Sequence, residues 1–167
     1  MMLNRITRLL RRSLLVVTAS LVFAALPALA QLDRVVAEAV DGDIDCLPCA
    51  VTIELYLKKV EGVNKVAVSM SKQMVAITFQ EGARFKPKEY RDAIMMAEVR
   101  VAAFHLSMRG TVEQQGEQLY FVAGQNRFLI VKPPKDLPIG ATIGIMAAVD
   151  DSTEPPSITS IDDVQRR

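Results

Sequence analysis

Between Arg34 and Leu106 the chain changes hydrophobic periodicity four times, and this alternation limits its possible folds more than any other feature. Arg34 to Val40 is a short apolar run with the length and composition of a strand, broken by Asp41-Gly42-Asp43. Cys49, Ile53, Leu57 and Val60 then recur at helical spacing, and Gly62 closes the segment. Val66, Val68 and Met70 alternate with smaller residues, Ser71-Lys72-Gln73 interrupts them, and Val75, Ile77 and Phe79 alternate again, which predicts a hairpin. Pro87 opens a second helical pattern with Tyr90, Ala93, Ile94 and Ala97 on one face. Val99 to Leu106 supplies a fourth strand. The predicted order is β-α-β-β-α-β, an α+β module.

The only two cysteines, Cys46 and Cys49, stand at the junction between the first strand's loop and the first helix. Two residues of separation let both sulfurs face one point. A helix N-terminus beside them favours the thiolate through its unpaired N–H groups and its dipole. A thiolate binds soft metals and also attacks disulfides, so the pair is open to either chemistry.

This order and this cysteine pair resemble the heavy-metal-associated domain, a ferredoxin-like module found in copper chaperones, metal-transporting ATPases and periplasmic mercury-binding proteins. The resemblance covers roughly Arg34 to Phe104. The family's metal loop reads G-M-x-C-x-x-C, and Cys46 and Cys49 fall on its two cysteines. Glu61-Gly62-Val63 matches the turn after the first helix, and Asp92-Ala93-Ile94 matches a motif of the second. The chain departs at the loop glycine, which is Asp43, at the loop methionine, which is Ile44, and at a glycine–aromatic pair, which is Glu98-Val99. Ile44 is close enough in volume to plug the loop against the core.

The resemblance implies metal binding by Cys46 and Cys49, and Asp45 extends the question of which metal. Family members that handle zinc, cadmium or lead often carry D-C-x-x-C. Zn²⁺ takes four ligands and accepts a carboxylate, whereas Cu(I) is satisfied by few thiolates. Asp45 is therefore either a third metal ligand or a helix cap. The expected ion is zinc, Cu(I) or mercury. His105, the single histidine, reads as structural within a strand, and Met70, Met74, Met95 and Met96 read as flexible core filling.

Residues 1–30 read as a signal peptide. Arg5, Arg8, Arg11 and Arg12 precede an apolar run from Ser13 to Leu26 and an Ala28-Leu29-Ala30 cleavage pattern. Removing them leaves sixteen basic against nineteen acidic side chains, a formal charge of −3. That balance offers no basic footprint for nucleic acid. It also leaves no membrane span in the mature chain and predicts a periplasmic or secreted protein. Residues 31–106 form the first expected domain. Residues 107–167 form the second, a small all-β barrel or sandwich, OB-like in length. Its strands are predicted at Arg109–Gln115, Gln118–Ala123, Arg127–Val131, Ala141–Val149 and Ser157–Val164. Tyr120, Phe121 and Phe128 read as its core.

The expected function is an exported protein that holds a heavy-metal ion for buffering or transfer, with a metal-transporting membrane protein as a candidate partner and no chemical transformation. Two alternatives stay open. Cys46-Leu47-Pro48-Cys49 also suits a thiol–disulfide oxidoreductase, although the tryptophan usual before such a site is missing. The cysteines could equally form a structural disulfide in an interaction protein.

Overall fold

A computed structural model describes residues 31–165, so the predicted signal peptide lies outside the described residues. Ten elements follow in order: β1 Gln31–Ala39, α1 Leu47–Leu57, β2 Val63–Ser69, β3 Met74–Phe79, α2 Pro87–Met95, β4 Val101–Gln115, β5 Gln118–Ala123, β6 Asn126–Ile130, β7 Thr142–Asp150 and β8 Ser157–Gln165. The first six have the predicted β-α-β-β-α-β order. Their strands lie as β2-β3-β1-β4, all antiparallel.

The last five strands close a barrel in the order β4-β5-β6-β8-β7, with β7 returning to β4. The pair β6–β8 is parallel and the others antiparallel. The β6–β8 contact that completes the ring is short, Leu129 with Ser157 and Ile130 with Ile158, and β2 remains an edge strand of the whole sheet. The described residues are thus β-rich, with two helices and a closed five-strand barrel.

The predicted break between Leu106 and Ser107 falls inside a single strand. The separate strands expected at Val99–Leu106 and Arg109–Gln115 are both parts of β4. The reason lies in its hydrogen bonding. Phe104 to Arg109 pair with β1 on one edge and β7 on the other. Thr111 pairs with β7 and also with Val122 of β5. Since β7 holds one edge throughout, β1 and β5 occupy the other edge in succession.

Gly110 stands where that edge passes from β1 to β5. A Cβ there would run into the Val122 carbonyl and come within 2.9 Å of the Phe121 ring. Glycine is required because another backbone comes this close.

Phe104, Leu106, Met108, Gly110 and Val112 are buried alternately along β4, so one face of one strand runs from beneath the helices into the barrel. Ile53 and Leu57 of α1 and Tyr90, Ala93 and Ile94 of α2 complete the core of the first half. Phe121, Phe128, Ile143, Ile145 and Ile158 complete that of the barrel.

Two further contacts join the halves. Phe85 lies 5.6 Å from Phe104, 6.0 Å from Tyr90 and 5.9 Å from Phe128, ring centre to ring centre. Beside it the buried Asn126 amide accepts from Phe85 N–H at 2.6 Å and donates to the carbonyls of Ala83 and Ala123 at 3.1 and 3.0 Å. Arg91 of α2 makes two 2.8 Å bonds to Asp151, just after β7, and a third to the Val101 carbonyl. Its guanidinium sits 4.8 Å from the Phe104 ring centre.

Gly110→Ala should destabilise the protein by about 3 kcal/mol or more, since the obstructing Val122 carbonyl cannot swing aside. Gly144→Ala is the control. Its added methyl meets nothing nearer than Gln165 Cβ at 3.5 Å, and stability should stay within about 1 kcal/mol of the parent. Urea denaturation of both variants checks the pair.

Candidate metal centre

The cysteine loop is held in place before any metal is considered. Ile44 is 1% exposed, so it plugs the loop into the core as expected. Its N–H donates to Gln73 Oε1 at 2.8 Å, and its carbonyl accepts from Gln73 Nε2 at 3.0 Å. Gln73 Nε2 also donates to the Met70 carbonyl at 2.6 Å, so one side chain clasps the loop to the β2–β3 turn.

Asp43 fastens the other side. Its carboxylate accepts from Arg100 N–H, Nε and Nη2 at 2.9, 2.9 and 2.8 Å. These bonds from the Arg100 side chain, and then from its backbone, hold the Asp43 carboxyl down at about 2 against an ordinary 3.8. Neither Gln73 nor the Asp43–Arg100 pair was predicted, because both act across the fold from positions 29 and 57 residues apart.

Helix α1 begins at Leu47, with Pro48 in its first turn. Its cap is Cys46, in extended conformation, whose sulfur accepts from Cys49 N–H at 3.0 Å. The capping role considered for Asp45 therefore belongs to the next residue. The Cys46 sulfur thus satisfies one of the orphan donors of the helix start.

Asp45, Cys46 and Cys49 come together. One ligand atom from each lies within 4.8 Å of the others, with Asp45 exposed and both cysteines half-buried. Cys49 Sγ is 3.9 Å from Asp45 Oδ1. The two sulfurs are joined as a disulfide, so Cys49 has no proton to donate and that approach is a contact only. Ligand atoms around a tetrahedral zinc are roughly 3.5 Å apart, somewhat closer than the 4.8 Å that bounds this trio.

The other sulfur and imidazole groups lie apart from this trio. His105 Nε2 is 3.3 Å from Glu38 Oε2 across the β1–β4 pair, consistent with a structural place. Met70 packs against the core. Met74, Met95 and Met96 are 37%, 51% and 55% exposed, so core filling is corrected for these three. They stand where elements end or begin, beyond the reach of the packed layers. Leu47, Val51 and Leu55 are exposed too, on the side of α1 away from Ile53 and Leu57.

No protein-family model matches the chain, and no curated protein is similar to it. Solved structures offer likenesses over part of the chain. One, "Crystal structure of a copper binding domain from HMA7, a P-type ATPase", is 18% identical and covers 42% of this chain and 90% of that one, with a TM-score of 0.36. Another, "Crosstalk between Cu(I) and Zn(II) homeostasis", is 24% identical and covers 43% of this chain and 96% of that one, with a TM-score of 0.34. Likenesses of this size do not identify a function.

Because the folded Asp43 carboxyl titrates below its ordinary value, its ion pair stabilises the protein above about pH 4, and that support is lost as the pH falls through about 2. Asp43→Asn should be less stable than the parent at neutral pH, and the gap should close between about pH 4 and pH 2. Acid titrations of both proteins followed by circular dichroism test this.

Proposed function

We propose that this chain is an exported carrier of a soft or borderline metal ion, zinc, Cu(I) or mercury, held by Cys46 and Cys49 with Asp45 as third donor. The observation that carries the reading is the gathering of those three donor groups within 4.8 Å at the exposed start of α1, with the capping task taken by Cys46. Two thiolates and one carboxylate suit a borderline ion and leave one position of a tetrahedral set for water or an incoming ligand. An open position of that kind favours transfer by ligand exchange, for which a metal-transporting membrane protein is a suitable partner. The ion is cargo, and we assign the protein no catalysed reaction. Export rests on the sequence of residues 1–30. Among the described residues, no helix is long and apolar enough to cross a membrane. We read the barrel as OB-like, with a positioning or interaction role.

Loading requires the disulfide to open. A dithiol reductant such as dithiothreitol transfers two electrons and two protons to the pair and leaves as its own cyclic disulfide. The two thiols then lose their protons as the ion binds. Protein reduced under anaerobic conditions should bind one zinc per chain, and oxidised protein none. Cys46→Ser or Cys49→Ser should remove tight binding and leave the fold intact, because the core is built without the site. Metal analysis with circular dichroism tests the pair. Zinc bound as tightly by the double variant as by the parent would overturn the carrier reading.

Asp45 decides between metals. Asp45→Ala should weaken zinc by roughly ten- to a hundredfold, the loss usual when a metal site's supporting groups are disturbed. Cu(I) affinity should change little. Thermal stability should also hold, since Asp45 does not cap the helix. Competition titrations with chromophoric chelators measure both affinities.

The observed disulfide favours one second reading, a thiol–disulfide oxidoreductase using the same pair. Turnover with substrate dithiols at the rates of dedicated oxidoreductases would select it over the carrier.

A further inference from the structure

A cleft of about 560 Å³ opens between the two halves, bounded by the segment before α2, by β5 and β6, and by the β7–β8 connection. Its volume lies in the range of small-molecule sites, which favour boundaries between substructures. The connectivity sets it away from the cysteine loop. Arg84 and Phe85 precede α2, whereas the loop meets Arg100 just beyond the other end of that helix.

The cleft has a formed wall. Asn126 spends its amide on Phe85, Ala83 and Ala123, which fixes Phe85 against the barrel. Arg127 sits over the Tyr120 ring, its guanidinium carbon 3.9 Å from the ring centre. A cation–π contact uses the charge and leaves the guanidinium N–H donors for other partners. Arg84 is steered by one bond, from Nε to Gln125 Oε1 at 2.6 Å. Tyr120 was expected in the core, and the structure corrects this. It is half-exposed, with its hydroxyl donating to Gln118 at 2.6 Å.

Some cations of the described residues are in ion pairs, and others, Arg84 and Arg127 among them, are not. Arg91 and Arg100 are both in ion pairs, as are Lys58, Lys86 and Lys88. Among the described residues, neither Arg84 nor Arg127 has a carboxylate within ion-pair distance. Glu61, which feels the charge of Arg84, is bonded to Lys86 at 3.0 Å. The cleft's lining contains one acid, Glu154, so its formal balance is one positive charge. The remaining lining is mixed, with the amides of Gln115, Gln125 and Asn126 beside the rings of Phe85, Tyr120, Phe128, Pro155 and Pro156.

We propose that this cleft is a second binding site, for a small organic monoanion of the aryl-carboxylate class. The carboxylate would be held by Arg84 and Arg127, whose forked donors match its two oxygens. The flat apolar body would lie against Tyr120, Phe85 and the two prolines. Glu154 disfavours ligands carrying more than one negative charge.

Phenylacetate is a suitable probe, with 2-phenylethanol as its uncharged counterpart and benzylphosphonate as a more highly charged one. Phenylacetate in the millimolar range should give saturable NMR shifts at the Gln125 and Asn126 side-chain amides and at Arg84 Nε–H. The alcohol should give none, and benzylphosphonate should bind more weakly than phenylacetate. Arg84→Gln and Arg127→Gln should each weaken binding by about tenfold or more, in line with loss of a charged hydrogen bond. Glu154→Gln should improve benzylphosphonate. Both arginines are exposed, so these variants should fold, and their spectra would report it. Absence of saturable shifts, equal response to the alcohol, or unchanged affinity in both arginine variants would overturn the site. The Cys46→Ser, Cys49→Ser protein should bind phenylacetate like the parent, which separates this test from the metal reading.

Discussion

A single strand, hydrogen-bonded along both edges, holds this protein together. Strand β4 serves β1 and β7 at the same residues, then exchanges β1 for β5 across Gly110. Its buried face is continuous, so the helical layer and the barrel share one apolar core. The other links between the halves depend on the alignment β4 imposes. Phe85 can touch both Phe104 and Phe128 only because the barrel is fixed beside the start of α2. Arg91 can reach Asp151 only because β7 is registered against β4. Buried groups such as the Asn126 amide then find all their partners, and the described residues contain no buried side-chain polar atom without one.

That rigidity has a consequence for the cysteine loop. A metal loop on a flexible tether would lose conformational freedom on each binding event. Here Ile44 is packed and its backbone clasped by Gln73, while Asp43 is tied to Arg100 beside the start of β4. The ordering is supplied by the fold, and Asp45 is left exposed beside the half-buried cysteines. Asp45 does not cap the helix because the residue after it took the cap. The same frame separates the two candidate sites, with one at the loop before α1 and the other at the approach to α2.

Local pattern was enough to read most elements. The strands and helices of the first half were legible because their apolar residues repeat at two or three-and-a-half residues over lengths that exclude other assignments. Gly116 and Gly124 both adopt positive φ, which is why the breaks that define β5 were visible. That Cys46 and Cys49 would come together was legible by spacing alone. Met74, Met95 and Met96 were misread because an apolar residue at the end of an element has the same local pattern whether or not another layer covers it.

The sequence by itself determined the element order, the cysteine pair at a helix start and the candidacy of Asp45, since each depends on contacts a few residues apart. Tertiary structure alone decided that two predicted strands are one, because only pairing with β1, β5 and β7 keeps the backbone extended through Ser107 and Arg109. It also decided that Cys46 and not Asp45 caps α1, a matter of φ and ψ at one residue. Gln73, Asn126 and the cleft arginines were invisible beforehand for a common reason. A polar side chain acquires its role from what the fold sets opposite it, and no local periodicity encodes that.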